Sequence, residues 1–204
     1  MDKFDRLTGV AAPFMEDNIN TDAIMPTAWI IEVGSDWGRG LFGNLRRDRH
    51  GRDMDSFVLN QPRYRASKFL VAGRNFGCGS SREEAVWALV GFGIRCVIAP
   101  SFSDIFYDNA FKNGLFPLVL PLPDVQRIAA EVAAPEKTEL TVDLQHCSLL
   151  TPTGSQCKFE LDDSRRLPLL EGRDDVGRTL AMAALIDAFQ RTDCHRRPWI
   201  YRSQ

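Results

Sequence analysis

Apolar residues in this chain fall into two kinds of pattern. Residues 68–73 (KFLVAG), 94–99 (IRCVIA) and 115–120 (LFPLVL) are short and almost continuously apolar, which predicts strands buried on both faces. The segments between them are periodic instead. In 81–92 (SREEAVWALVGF), Ala85, Trp87-Ala88-Leu89 and Phe92 recur at helical spacing. In 102–113 (FSDIFYDNAFKN), Ile105, Phe106, Asn109 and Ala110 fall on adjacent turns, and Asn113-Gly114 reads as a helix stop. The resulting β-α-β-α-β run predicts a parallel sheet with right-handed crossovers.

The flanks are less regular. Residues 5–12 (DRLTGVAA) predict a first strand, followed by a turn-rich stretch at 16–22. Residues 34–56 are rich in glycine and charge, with few apolar anchors, and predict a long mobile loop. Residues 124–134 predict a helix, and 139–144 and 156–161 predict strands joined through Thr153-Gly154. Residues 174–190 predict a final amphipathic helix whose apolar side must rest on the core or on a partner, and 174–204 form a C-terminal helix and tail. The fold class expected is α/β: a single domain over 1–204, with a β layer added to the parallel core.

Composition narrows the function classes. A chain of 204 residues with 44% apolar residues can bury a core as one domain. The net charge of −2, from 27 acidic and 25 basic residues, gives no reason to expect a nucleic-acid partner. The start MDKFDRLTGV carries no secretory h-region, and the apolar runs are too short to span a bilayer. The expectation is a soluble, cytoplasmic protein. Five cysteines contain no C-x-x-C pair, and three histidines are scattered, so neither zinc nor iron–sulfur spacing is present. The chain is expected to bind no metal itself.

The richest local signal is Gly73-Arg74-Asn75-Phe76-Gly77-Cys78-Gly79-Ser80-Ser81-Arg82-Glu83, between a strand and a helix start. Such a turn offers backbone N–H groups and the positive end of a helix dipole to an anion. Ser80 or Ser81 can cap the helix, and Arg82 adds a fork that suits a carboxylate. Known motifs fail here. The sixth place of G-x-G-x-x-G from Gly77 is Arg82, no lysine makes a Walker A loop, and G-x-S-x-G is absent. The plain alternative is a capped helix start with glycines for tight packing. Asp22, read alone, is equally an Asx-turn residue, and Asp104 suits the first turn of a helix.

The stretch FLVAGRNFGCGSSREEAVWAL resembles the signature of the small subunit of 3-isopropylmalate dehydratase, which is similar to the swivelling fourth domain of aconitase. Asn18-Ile19-Asn20-Thr21-Asp22-Ala23-Ile24-Met25-Pro26 and Ala99-Pro100-Ser101-Phe102-Ser103-Asp104-Ile105-Phe106 match further family segments in order, and Asp175–Leu180 with Pro198-Trp199 fits the family's tail. Glu84, Thr27 and Arg74 depart from its usual residues. The resemblance implies a swivelling β/β/α domain and a hydro-lyase that isomerises 2-isopropylmalate to 3-isopropylmalate in leucine biosynthesis. It implies a large-subunit partner carrying a [4Fe-4S] cluster that acts as a Lewis acid. It carries the catalytic base to Ser80, with Asp22 in the neighbouring network. Substrate carboxylate binding falls to Gly79, Ser81 and Arg82, and contact with the substrate's side group to the region of Ile24 and Thr27. The alternatives weighed are a related hydro-lyase acting on citramalate or dimethylmalate, a non-catalytic anion-binding module, and a self-contained hydrolase.

Overall fold

The computed structural model describes residues 1–80, 82–134 and 138–201. Its seven strands form one sheet in the order β4-β3-β2-β1-β5-β6-β7. Strand β1 (Arg6–Phe14) is the seam. Its second half, Ala11–Phe14, pairs in parallel with β2 (Phe69–Ala72), and its first half, Arg6–Val10, pairs antiparallel with β5 (Glu139–Asp143). Strands β3 (Cys96–Ala99) and β4 (Phe116–Val119) extend the parallel side, while β6 (Ser148–Leu150) and β7 (Gln156–Lys158) extend the antiparallel side.

The parallel strands are buried on both faces, as their continuous apolar runs predict. Leu70, Ala72, Val97 and Ala99 join one core cluster, and Phe69, Val71, Cys96 and Ile98 join the other, following the two-residue period of a strand. The first cluster is closed by α1 (Thr21–Ile24), α2 (Thr27–Val33), α3 (Trp37–Gly40), α4 (Gly43–Arg46) and α5 (Glu83–Phe92), with α6 (Asp104–Lys112) contributing Phe106 and Ala110. The second is closed by α7 (Leu122–Ala133), which buries Val125, Ile128 and Val132. Truncating a fully buried residue such as Leu89 to alanine in such a core costs about 2–5 kcal/mol.

Residues 34–56 are not the anchor-poor loop that composition suggests. They contain α3, α4 and a short bridge between Arg47 and Asp53. Leu41 and Phe42 are fully buried, and Phe42 meets the Phe14 ring edge-on at 5.1 Å. Arg46 is buried beside them. Its Nε donates to Asn60 Oδ1 at 3.1 Å, its Nη1 donates to the carbonyls of Gly38 and Leu41, and its guanidinium lies 4.8 Å above the Phe92 ring. Polar atoms thus do part of the anchoring that a hydrophobic pattern looks for.

The C-terminal third departs in three ways. The link from β5 to β7 carries its own strand, β6. A further helix, α8 (Asp163–Glu171), follows β7 and is tied to β1's start by Phe4 N–H donating to Leu169 O at 2.9 Å. The expected single final helix breaks at Met182 into α9 (Asp175–Ala181) and α10 (Ala183–Arg196). The apolar side chains of these helices, Val176, Leu180, Leu185 and Phe189 among them, are exposed rather than laid on this chain's core.

Candidate active site

The carboxyl ends of β1, β2 and β3 bring three loops together, the usual place for a ligand in an open α/β sheet. The turn after β2 is held from both sides. Arg74 N–H donates to Asp17 Oδ1 at 2.6 Å, and Asn18 N–H donates to Arg74 O at 2.8 Å. Gly77 and Cys78 N–H both donate to Ile19 O, at 2.8 and 3.2 Å. On the far side, Phe76 N–H donates to Ser101 O and Ser103 N–H donates to Phe76 O. The buried Phe76 ring packs edge-on against Phe106 at 5.4 Å and Phe102 at 6.2 Å.

These bonds set the register of the Asp22 loop against the Ser80 turn. Thr21 N–H donates to Cys78 O at 2.9 Å, and the buried Thr21 hydroxyl donates to the Ser80 carbonyl. One residue on, the Asp22 carboxylate pairs with Arg82 Nη1 at 2.8 Å. The same Nη1 donates to Thr27 Oγ1, also at 2.8 Å. Asp22 sits in the first turn of α1, which Asn20 caps by accepting from Ala23 N–H at 2.7 Å. Gly79 crosses so close to this cap that a Cβ there would lie 3.3 Å from Asn20 Cβ.

The structure therefore brings together Asp22, Thr27, Gly79, Ser80 and Arg82. Ser81 lies outside the described residues. Ile24 is fully buried beneath the site and presents no surface to a ligand. Arg82 occupies the cap position of α5, and its side chain makes no cap hydrogen bond there. Residues 27–33 are helical, so Met25 and Val33 point into the core while Thr27, Ala28 and Ile31 face solvent. Asp104 stands in the first turn of α6. The Cys78 thiol donates to Asn18 O at 3.2 Å. Thr21, Asn18, Asn75 and Ser101 all belong to the quoted motifs, yet sequence reasoning gave them no role; their spacing to the strand ends was the available signal.

Gly79, Ser80 and Asp22 are all exposed, so this is an open face rather than a closed pocket. Among the described residues, no group of three or more His, Cys, Asp or Glu is placed to hold a metal ion. Cys96 is buried in β3, where loss of solvent pushes its thiol well above its ordinary range. These residues do not fit an iron–sulfur cluster. Among the described residues, no helix is long and apolar enough to cross a membrane.

The Aconitase C-terminal domain family matches residues 1–123. The 3-isopropylmalate dehydratase small subunit of Dinoroseobacter shibae is 47% identical over 201 residues, covering 98% of this chain and 100% of that protein. This chain belongs to the 3-isopropylmalate dehydratase small-subunit family. The Paracoccus denitrificans small subunit is also 47% identical over 201 residues, with the same coverage of both chains. The Brucella abortus small subunit is 46% identical over 200 residues, covering 98% of this chain and 100% of that protein. The crystal structure of 3-isopropylmalate dehydratase (leuD) from Methanocaldococcus jannaschii superposes with a TM-score of 0.63 at 26% identity, covering 91% of this chain and 99% of that one. The small-subunit family thus accounts for the chain nearly end to end, including the α/β architecture.

Proposed function

We propose that this chain is the small subunit of a heteromeric, cytoplasmic 3-isopropylmalate dehydratase, which moves the hydroxyl of 2-isopropylmalate to the neighbouring carbon in leucine biosynthesis. Ser80 is the base. Its Oγ, as the alkoxide, takes the proton from the carbon next to the hydroxyl-bearing one, and the C–H electron pair becomes the C=C bond. The C–O bond breaks with its electron pair on the departing hydroxide, which a proton from an acid of the assembled site converts to water. Return of water in the opposite sense gives 3-isopropylmalate. Arg82, with Gly79 and Ser81, holds a substrate carboxylate, and Asp22 and Thr27 fix the Arg82 fork. Thr27 also borders the substrate's side group. The metal cluster implied by the resemblance belongs on the large subunit in this reading.

One observation carries the proposal. Two motifs far apart in sequence meet through the Asp22–Arg82 ion pair and the Thr21–Ser80 hydrogen bond. A serine hydroxyl is a poor base unless its alkoxide is strongly stabilised, which needs fixed donors and exclusion of water. Here the turn is open, and water screens Arg82. Coverage by the large subunit supplies the missing dryness.

The test compares three preparations on 2-isopropylmalate: this chain, the reconstituted large subunit, and the pair. Absorbance of the unsaturated intermediate is the readout. Activity only in the pair, abolished by Ser80→Ala, is the expected result. Turnover of citramalate or dimethylmalate instead would move the substrate assignment. Activity of this chain alone, or a harmless Ser80→Ala, would overturn the mechanism.

A further inference from the structure

Among the described residues, four non-glycine residues hold φ in the left-handed region, and two of them, Asn18 at 58° and Asn75 at 56°, face each other. Non-glycine residues enter that region at a cost, and such outliers collect where a fold holds a functional group in place. Their side chains are joined, with Asn75 Nδ2 donating to Asn18 Oδ1 at 2.9 Å. Asn75 also reaches a third loop, and Asn18 a second residue of the Asn75 turn. Asn75 N–H donates to Ser101 Oγ at 2.9 Å, and Asn18 O accepts the Cys78 thiol at 3.2 Å. The pair thus sits near the start of the ladder whose last rung is Thr21 on the Ser80 carbonyl.

We infer that the Asn18–Asn75 amide pair is a register clamp: both are positioning residues that set Ser80 against Asp22 and Arg82. This rests on the reading of Ser80 as the base. The Asp22 loop and the Ser80 turn run side by side, with Asn20 bridged in parallel to Cys78. Slippage by one residue at that bridge would shift the loop along the turn by up to about 3.8 Å, the spacing of consecutive Cα atoms, further than a catalytic geometry tolerates. Glycine would accept either φ but offers no side chain to lock the register. Asparagine accepts the φ and carries both a donor and an acceptor.

The experiment is a double-mutant cycle on the assembled pair of subunits. Asn18→Asp and Asn75→Asp each leave one amide donor facing one carboxylate acceptor, because the remaining amide can turn either way. The double variant sets two carboxylates face to face with no donor between them. Each single variant is expected to keep kcat on 2-isopropylmalate within about 3-fold of wild type, while the double loses about 10- to 100-fold in kcat with KM little changed. Apparent Tm should stay close for all four proteins. Lowering the pH lets the facing carboxylates share a proton, so the ratio of double variant to wild type should rise as pH falls. An effect in the double equal to the product of the single effects would overturn the clamp. So would a loss that tracks Tm, or a ratio flat with pH. Ser80→Ala in the same assay separates the two claims. If it stays active, the base assignment falls and the clamp with it. If it is inactive while the cycle shows no coupling, only the clamp falls.

Discussion

Gly77→Ala should unfold this chain more easily by a margin that can be worked out from the turn. Gly77 has φ +76, and a Cβ built on it would lie 2.6 Å from both Cβ and Cδ2 of Phe106. Forcing a side chain into the left-handed region costs about 1–2 kcal/mol. The Phe106 ring cannot yield cheaply. It is 1% exposed, edge-on to Phe76 at 5.4 Å and stacked on Phe102 at 6.1 Å. Overpacking of that kind adds about 1–3 kcal/mol. The two together give a loss of about 2–5 kcal/mol, or about 4–20 °C in Tm for a chain of this size. Gly154→Ala is the control: its φ is +89 but nothing lies within 4 Å, so only the conformational cost of about 1–2 kcal/mol applies. Urea unfolding followed by circular dichroism measures both. If Gly77→Ala cost no more than Gly154→Ala, the packing of the turn on Phe106 would not be what constrains Gly77.

Two further outcomes follow from the site and the tail. Asp22→Asn removes a half-exposed ion pair with Arg82, so thermal stability should change by less than about 1 kcal/mol while turnover by the assembled pair falls sharply; parallel melting and rate measurements check this. Asp193 accepts from Arg197 Nε and Nη2, both at 2.7 Å, and from the Tyr201 hydroxyl at 3.0 Å. The Arg197 guanidinium holds its carboxyl below the ordinary carboxylate range. A depressed folded-state pKa contributes stability above the unfolded carboxylate value and loses it as pH falls through the folded value. Limited proteolysis between pH 7 and about pH 3 should therefore show residues 197–201 loosening only below about pH 4, near the ordinary aspartate pKa. In Asp193→Asn they should be loose across the whole range.

The parallel half of the fold was legible because its central strands, Phe69–Ala72 and Cys96–Ala99, are buried at every residue, so a continuous apolar run and burial on both faces agree there. The turn at Gly73–Ser80 could be located for a related reason: its glycines stand between a continuous apolar run and a helical apolar spacing. What escaped has identifiable causes. β6 is three residues long, too short for an alternation to register. α8 carries Pro168 inside it, which argues against a helix from sequence, yet the segment ends on Gly172 with the αL cap of an ordinary helix. Residues 34–56 looked unanchored because Arg46 and Asn60 satisfy each other in the interior, and buried hydrogen-bonded polar groups leave no apolar trace. The cap position of α5 falls to Arg82, whose backbone is extended before the first turn. Ile24 read as ligand-facing because its motif position says nothing about which way a four-residue helix turns its side chains.

The double pairing of β1 has a consequence for how the chain is made. Ala11–Phe14 can dock on β2 early in synthesis, but Arg6–Val10 must wait for β5. The 137 residues after Arg6, up to and including its partner Asp143, take about 7–27 s to emerge at 5–20 residues per second. Throughout that interval the nascent protein displays an unpaired strand edge, the kind that recruits another chain into a sheet. A polypeptide stopped after β4 would keep that edge permanently and lose Leu140, Val142 and Leu149 from its second core. The half of the molecule that carries the Ser80 turn therefore leaves one strand edge open until the antiparallel strands arrive to close it.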